Sequence, residues 1–271
     1  MFNLKETVIL KEKMEDNLKI TIIQSELHWE NAEANRQMFS EKIQNIEGKT
    51  DLIILPEMFS TGFSMNAEKL AELNDGPTLQ WMISEAKKHH AAITGSVIIT
   101  EDNQYYNRLF FVFPDGSYKK YDKKHTFTLA KENEVYKAGS ERLIVNYKDW
   151  RICPLVCYDL RFPIWARNTE DYDLLIYVAN WPKVRTVAWD TLLRARAIEN
   201  MAYCIGVNRV GLDGNEHEYV GHSAVYDVLG KQISTSAFDE FTETIVLEKN
   251  HIETNRQHFQ FLNDRDLFTL I

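Results

Sequence analysis

"ICPLVCYDLRFPIWARN", residues 152–168, decides how the chain is read. Its first six residues form an apolar run of strand character that stops at Cys157. The polar, turn-prone "YDLRFP" follows, so the strand gives way to a helix, or to an irregular turn leading into one. Cysteine is among the most buried residue types, and a small core hydrophobe is one reading of Cys157. A nucleophile is the other: a thiol at a helix N-terminus meets the positive end of the helix dipole, which favours thiolate. From these residues alone the two readings stand level.

Similar apolar runs recur on both sides. They are "LKITIIQ" (18–24), "DLIILPE" (51–57), "AAITGSVII" (91–99), "NRLFFVF" (107–113) and "RLIVNY" (142–147), then "DLLIYVAN" (173–180), "AYCIGVNRV" (202–210), "HSAVYDV" (222–228), "KQISTS" (231–236) and "ETIVLE" (243–248). Several are apolar throughout, which suits strands covered on both faces. Helical patterns separate them: residues 31–47, residues 77–90 with Pro77 near the first turn, and residues 186–202. "PDGS", "NYKDW" and "DVLGK" read as hairpin turns. The mixture predicts an α/β layered sandwich with antiparallel hairpins. No G-x-G-x-x-G follows the first strand and no phosphate-binding P-loop occurs, which argues against a dinucleotide fold.

The 271 residues carry no repeat and no Gly/Pro/Ser-rich linker, so one continuous domain over 18–271 is the simplest account. Residues 1–17 read as an extension before it, too charged for a secretory signal. A net charge of −9 argues against nucleic-acid and anionic-membrane partners. No apolar run approaches the ~18 residues of a membrane span. The three cysteines suggest a reducing, cytoplasmic setting. Cys153 and Cys157, four apart on a strand, lie roughly 13 Å from one another, too far for a disulfide or a shared metal. Cys153 and Cys204 therefore read as core residues.

A thiol nucleophile needs a base, and the oxyanion it generates needs donors. Glu57 follows an apolar strand and Pro56, where a partly desolvated carboxylate is suited to take a proton; a surface glutamate is the plainer reading. "YDKKHTFTLAKENE" (121–134) offers Lys123, His125, Glu132 and Glu134. A lysine ammonium is a point charge fit for an oxyanion. Lys119, Lys120 and Lys124 read as solvated.

Taken jointly, "LPE", "YDKKH" and "CYDLRFP" resemble the nitrilase, or carbon–nitrogen hydrolase, superfamily over about residues 18–265. The resemblance implies a four-layer α-β-β-α sandwich, a Glu–Lys–Cys triad, no metal and no cofactor. It makes Glu57 the general base, Lys123 the oxyanion stabiliser and Cys157 the nucleophile. Glu132 aligns with a second glutamate that positions the lysine and the substrate amide, with Glu134 a nearby alternative. Thr126 departs from the leucine usual after the histidine of the lysine motif.

"LPEMFSTGFSM", "VANWPKVR" and the tail from about residue 250 are similar to the omega-amidase branch, which hydrolyses ω-amides of 2-oxo acids such as 2-oxoglutaramate. A nitrilase, an N-carbamoyl amino acid hydrolase or an aliphatic amidase would share the triad; a silent binding protein on the same fold is the rival from another class. A short amide ending in a carboxylate needs a local cation, for which Arg161 and Arg185 stand as candidates; a structural salt bridge or a surface charge is the plainer reading of each. The Tyr158 N–H is a candidate oxyanion donor, and Phe63, Met65 and Trp181 are candidate apolar walls, with ordinary core packing an equal reading of all three. A homodimer is implied, with the apolar tail docked on its own protomer or a neighbour.

Overall fold

The computed structural model describes residues 16–269, so residues 1–15 of the expected extension lie outside the described residues. Two sheets stack between helices. The first sheet contains β1 (Leu18–Gln24), β2 (Leu52–Ile54), β3 (Glu72–Leu73), β4 (Ala92–Glu101), β5 (Gln104–Val112), β6 (Tyr118–Asp122) and β14 (Phe241–Leu247), in the order β14-β1-β2-β4-β5-β6 with β3 beside β4. The second contains β7 (Val145–Tyr147), β8 (Trp150–Val156), β9 (Leu174–Val178), β10 (Tyr203–Val207) and β13 (Ala224–Tyr226), in the order β13-β10-β9-β8-β7. β11 (Val210–Leu212) and β12 (Glu218–Val220) form a separate hairpin.

Side-chain alternation explains the layers. In the first sheet Ile20, Ile22, Leu52, Ile54, Leu109 and Phe111 face the second sheet's core. Ile23, Ile53, Ile93, Val97, Phe110 and Val112 face the opposite way, onto α1 (Ala32–Gln44) and α2 (Pro77–His89). Those helices present Phe39, Ile43, Leu79, Met82 and Ala86 in return. α1 starts where the Asn31 side chain accepts the Ala34 N–H at 3.1 Å. On the far side, α3 (Thr186–Asn200) lays Trp189, Leu193 and Ala197 on the second sheet. It comes so close that a Cβ on Gly206 of β10 would stand 2.4 Å from Leu193. α4 (Lys249–Phe259) is tied to the same side by Arg256, whose guanidinium donates to the Tyr172 carbonyl at 2.6 Å. The result is the expected α-β-β-α sandwich.

Two local expectations change, and one strand goes beyond them. "KQISTS" forms no strand: Gln232 makes one isolated bridge to Tyr226. "YKKYD" is the edge strand β6, with Lys119 and Lys120 exposed as edge-strand lysines commonly are. "AYCIGVNRV" splits at Asn208, its end passing into the β11–β12 hairpin. Cys153 and Cys204 are fully buried and unpaired.

Candidate active site

Strand ends from both sheets meet at one place. β2 runs out through Leu55 and Pro56 to Glu57; β6 ends one residue before Lys123; β8 ends at Val156, just before Cys157. Cys157 takes a left-handed φ of 45°, uncommon for a side-chain-bearing residue.

Glu57 is fully buried. Its Oε1 accepts from Lys123 Nζ at 2.8 Å and Asn107 Nδ2 at 2.8 Å, and its Oε2 accepts from the Asn180 N–H at 2.9 Å. Lys123 Nζ also donates to both oxygens of Glu132, at 3.0 and 2.9 Å. Glu132 opens a single helical turn, Glu132–Val135, and is buried; Glu134, the alternative, is exposed and outside the cluster. The Phe127 N–H donates to Glu132 at 2.5 Å, turning the intervening loop around the carboxylate.

Two carboxylates and one ammonium thus share a dry volume. Burial works against charge on Lys123, but Glu132 and Glu57 outweigh it and hold the ammonium above its ordinary range. Burial, with Glu57 beside it, pushes the Glu132 carboxyl up against the pull of Lys123. Burial and the Glu57 carboxylate push the Cys157 thiol well above the usual thiol range, with Lys123 opposing. Burial thus works against the thiolate that a helix dipole would favour. The helix is a five-residue 3₁₀ turn, Cys157–Arg161, too short for its dipole to offset desolvation.

A cavity of about 570 Å³ opens over Cys157 and Lys123. Tyr158, Arg161, Trp181, Arg185, Phe63 and Met65 all line it. Arg161 lies over the Trp181 ring at 5.0 Å and Arg185 over the Phe127 ring at 4.8 Å. Neither guanidinium makes a side-chain ion pair or hydrogen bond among the described residues. Burial and the neighbouring Arg161 draw Arg185 below its ordinary range, so an anion placed between them relieves both. No cluster of three metal-ligating side chains occurs among the described residues.

Sequence reasoning missed three contributors. Asn107 on β5 touches both glutamates. Its signal was a polar residue in phase with Leu109 and Phe111 on a core-facing strand. Asn180 follows β9, and its side chain donates to the Glu57 carbonyl at 2.5 Å. Asp159 is fully buried behind Cys157 and accepts from the Val156 N–H at 3.1 Å and the Tyr121 hydroxyl at 2.7 Å.

Comparison with known proteins bears on the family and the fold. The carbon-nitrogen hydrolase family model matches residues 19–253. An omega-amidase YafV of Yersinia enterocolitica is 44% identical over 257 residues, 94% of this chain and 99% of that protein. A 2-oxoglutaramate amidase of Bacillus subtilis is 33% identical, covering 70% of this chain and 75% of its own length. Among solved structures, the CN-hydrolase superfamily protein XC1258 of Xanthomonas campestris, which has an arsenic adduct in its active site, superposes with a TM-score of 0.92. It is 43% identical over 94% of this chain and 99% of that one.

Proposed function

We propose, because this chain belongs to the carbon-nitrogen hydrolase family and is an amide-hydrolysing enzyme, that it cleaves the terminal amide of short 2-oxo dicarboxylic acid monoamides, 2-oxoglutaramate and 2-oxosuccinamate, to acid and ammonia. The carrying observation is the cavity itself. Cys157 and Lys123 both line it, Lys123 is paired with the buried Glu57 and Glu132, and two guanidinium groups on its wall lack side-chain partners among the described residues. An amide to be cleaved and a carboxylate to be held are what that combination suits.

The reaction proceeds through a thioester. Glu57 takes the thiol proton as Cys157 Sγ bonds to the amide carbon, and the carbonyl electron pair moves onto oxygen. Because burial and the Glu57 charge disfavour a free thiolate, the base acts in this same step. Lys123 Nζ and the Tyr158 N–H hold the oxyanion. Glu57 then returns its proton to the nitrogen, the C–N bond breaks and ammonia leaves. Water, losing a proton to Glu57, attacks the thioester; the C–S bond breaks and the proton returns to sulfur. Glu132 keeps Lys123 aimed throughout, and Arg161 and Arg185 hold the distal carboxylate between the walls formed by Phe63, Met65 and Trp181.

The same reading includes the division into an extension (1–17) and a hydrolase domain (18–271), and a cytoplasmic location suited to three unpaired cysteines. It also includes a homodimer, for which the exposed Val184, Val187, Ile198, Phe259 and Phe261 supply apolar surface. The test is ammonia release from 2-oxoglutaramate and succinamate by wild type and Cys157→Ala. Turnover by wild type alone is expected; hydrolysis of nitriles without hydrolysis of either amide overturns the assignment.

A further inference from the structure

We infer that Asn107 is a positioning residue of the active site: its side-chain amide ties Glu57 to Glu132 and leaves one lone pair of Glu57 Oε2 to meet the thiol. This rests on Glu57 being the base proposed above. Asn107 is 1% exposed in the interior of β5. Nδ2 donates to Glu57 Oε1 at 2.8 Å and to Glu132 Oε1 at 3.2 Å. Its backbone carbonyl accepts the Lys123 N–H at 3.0 Å. One residue therefore touches both carboxylates and the backbone that carries the ammonium.

The amide orientation is fixed by chemistry. Both carboxylates only accept, so a flipped side chain would set Oδ1 lone pairs against theirs. The orientation has a cost that is visible: Oδ1 is buried and has no hydrogen-bond partner among the described residues. The two N–H bonds reach the glutamates while the acceptor has no protein partner among the described residues.

Lone-pair counting gives the consequence. Each carboxylate oxygen offers about two acceptor sites. Lys123 and Asn107 fill those of Oε1, while among the described residues Oε2 accepts only the Asn180 N–H and keeps one site open. When Lys123 turns towards an oxyanion, Asn107 is the donor that stays on Oε1. The other titratable groups acting on Glu57 are Lys123, Glu132, Cys157 and, further out, Tyr136.

Asn107→Ala and Asn107→Ser, in the full chain, test this by ammonia release from 2-oxoglutaramate across pH, with near-ultraviolet circular dichroism as the folding control. kcat should fall about 10- to 100-fold, the scale of a misplaced catalytic group, with KM changed less than about threefold. The acidic limb of kcat/KM should move to higher pH, because removing a donor from a carboxylate favours its protonated form. Asn107→Ser should show the smaller shift, keeping one hydroxyl donor, and it carries the test if Asn107→Ala does not fold. Limbs unmoved in a folded variant overturn the inference. The pH profile of Cys157 alkylation by iodoacetamide is read alongside and needs no amide substrate; its acidic limb should move the same way. If wild type releases no ammonia, the functional reading fails, while the alkylation profile still decides for or against Asn107.

Discussion

His125 meets the buried carboxylate of Asp159 twice, through its backbone N–H at 3.0 Å and through Nδ1 at 2.8 Å. The same carboxylate holds the Val156 N–H and the Tyr121 hydroxyl. Asp159 therefore clamps the loop after Lys123 to the turn that carries Cys157. Asp159→Ala leaves the buried Val156 N–H and Tyr121 hydroxyl and the half-buried His125 without their acceptor, and breaking a charged network of this kind costs about 3 kcal/mol or more. Denaturant unfolding should show that loss, and kcat should fall with it. A variant within about 0.5 kcal/mol of wild type would show that the clamp carries no weight.

Lys123 is the cation between two buried carboxylates. Lys123→Ala should lower kcat/KM by at least ~10²–10³, the cost of one oxyanion donor. Its effect on stability has a sign. The native state already holds Glu132 above the ordinary carboxylate range, and Lys123 is the group that opposes this. Removing it raises the carboxyl further, so the folded variant binds more protons than its unfolded chain. Stability of Lys123→Ala should fall as pH rises from acidic to neutral, more steeply than wild type. Parallel stability–pH curves for the two proteins would contradict this.

Much of this architecture was written in local patterns. Apolar runs such as Leu174–Val178 marked strands buried on both faces, and helical periodicity marked residues 77–90 and 186–202. Where local signal and tertiary context part, the reading stopped. "YKKYD" is polar because β6 is an edge strand, and "KQISTS" had strand-like residues but no partner beyond one bridge. For the site, the residues ending strands were legible because chemistry-bearing side chains abruptly follow apolar runs. Asn107 lies mid-strand, where only the phase of its neighbours shows which way it faces. The protonation state of Cys157 depended on burial by distant segments, which no local motif records.

The thiol's titration reports on its neighbour. Burial pushes Cys157 up, and the Glu57 charge pushes it further. Glu57→Gln removes that charge, so thiolate should form at lower pH than in wild type while turnover is lost. Ultraviolet thiolate absorbance, referenced to Cys157→Ser, follows it. An unchanged or higher midpoint would mean the two groups do not interact.

Arg161 and Arg185 should act on binding. Losing one charge-assisted hydrogen bond costs about 1.5–3 kcal/mol, roughly 10- to 100-fold in affinity. Arg185→Met should raise KM for 2-oxoglutaramate by that factor, and Arg161→Met by less, because Arg161 is exposed and Arg185 half-buried. A neutral amide of similar length should show no change with either. If neutral and anionic amides lose equally, the arginines shape the cavity and do not recognise charge.

The β11–β12 hairpin brings Asp213, Asn215, His217 and Tyr219 to the cavity, so its seat on the body of the protein should control substrate fit. Gly214 supplies that seat: a Cβ there would stand 2.2 Å from Trp29 Nε1, and Trp29 is itself a cavity residue. The Tyr219 hydroxyl donates to Asp213 at 2.9 Å, so the hairpin shifts as a unit when its tip is displaced. Gly214→Ala cannot be absorbed by a flexible side-chain end, because the obstacle is an indole ring. Overpacking of this kind costs about 1–3 kcal/mol, but the hairpin belongs to neither large sheet and can yield before the core does. KM should therefore rise several-fold, with kcat and unfolding midpoint little changed. A fall in kcat at constant KM would place the hairpin's influence on Cys157 and Lys123 instead of on the cavity wall.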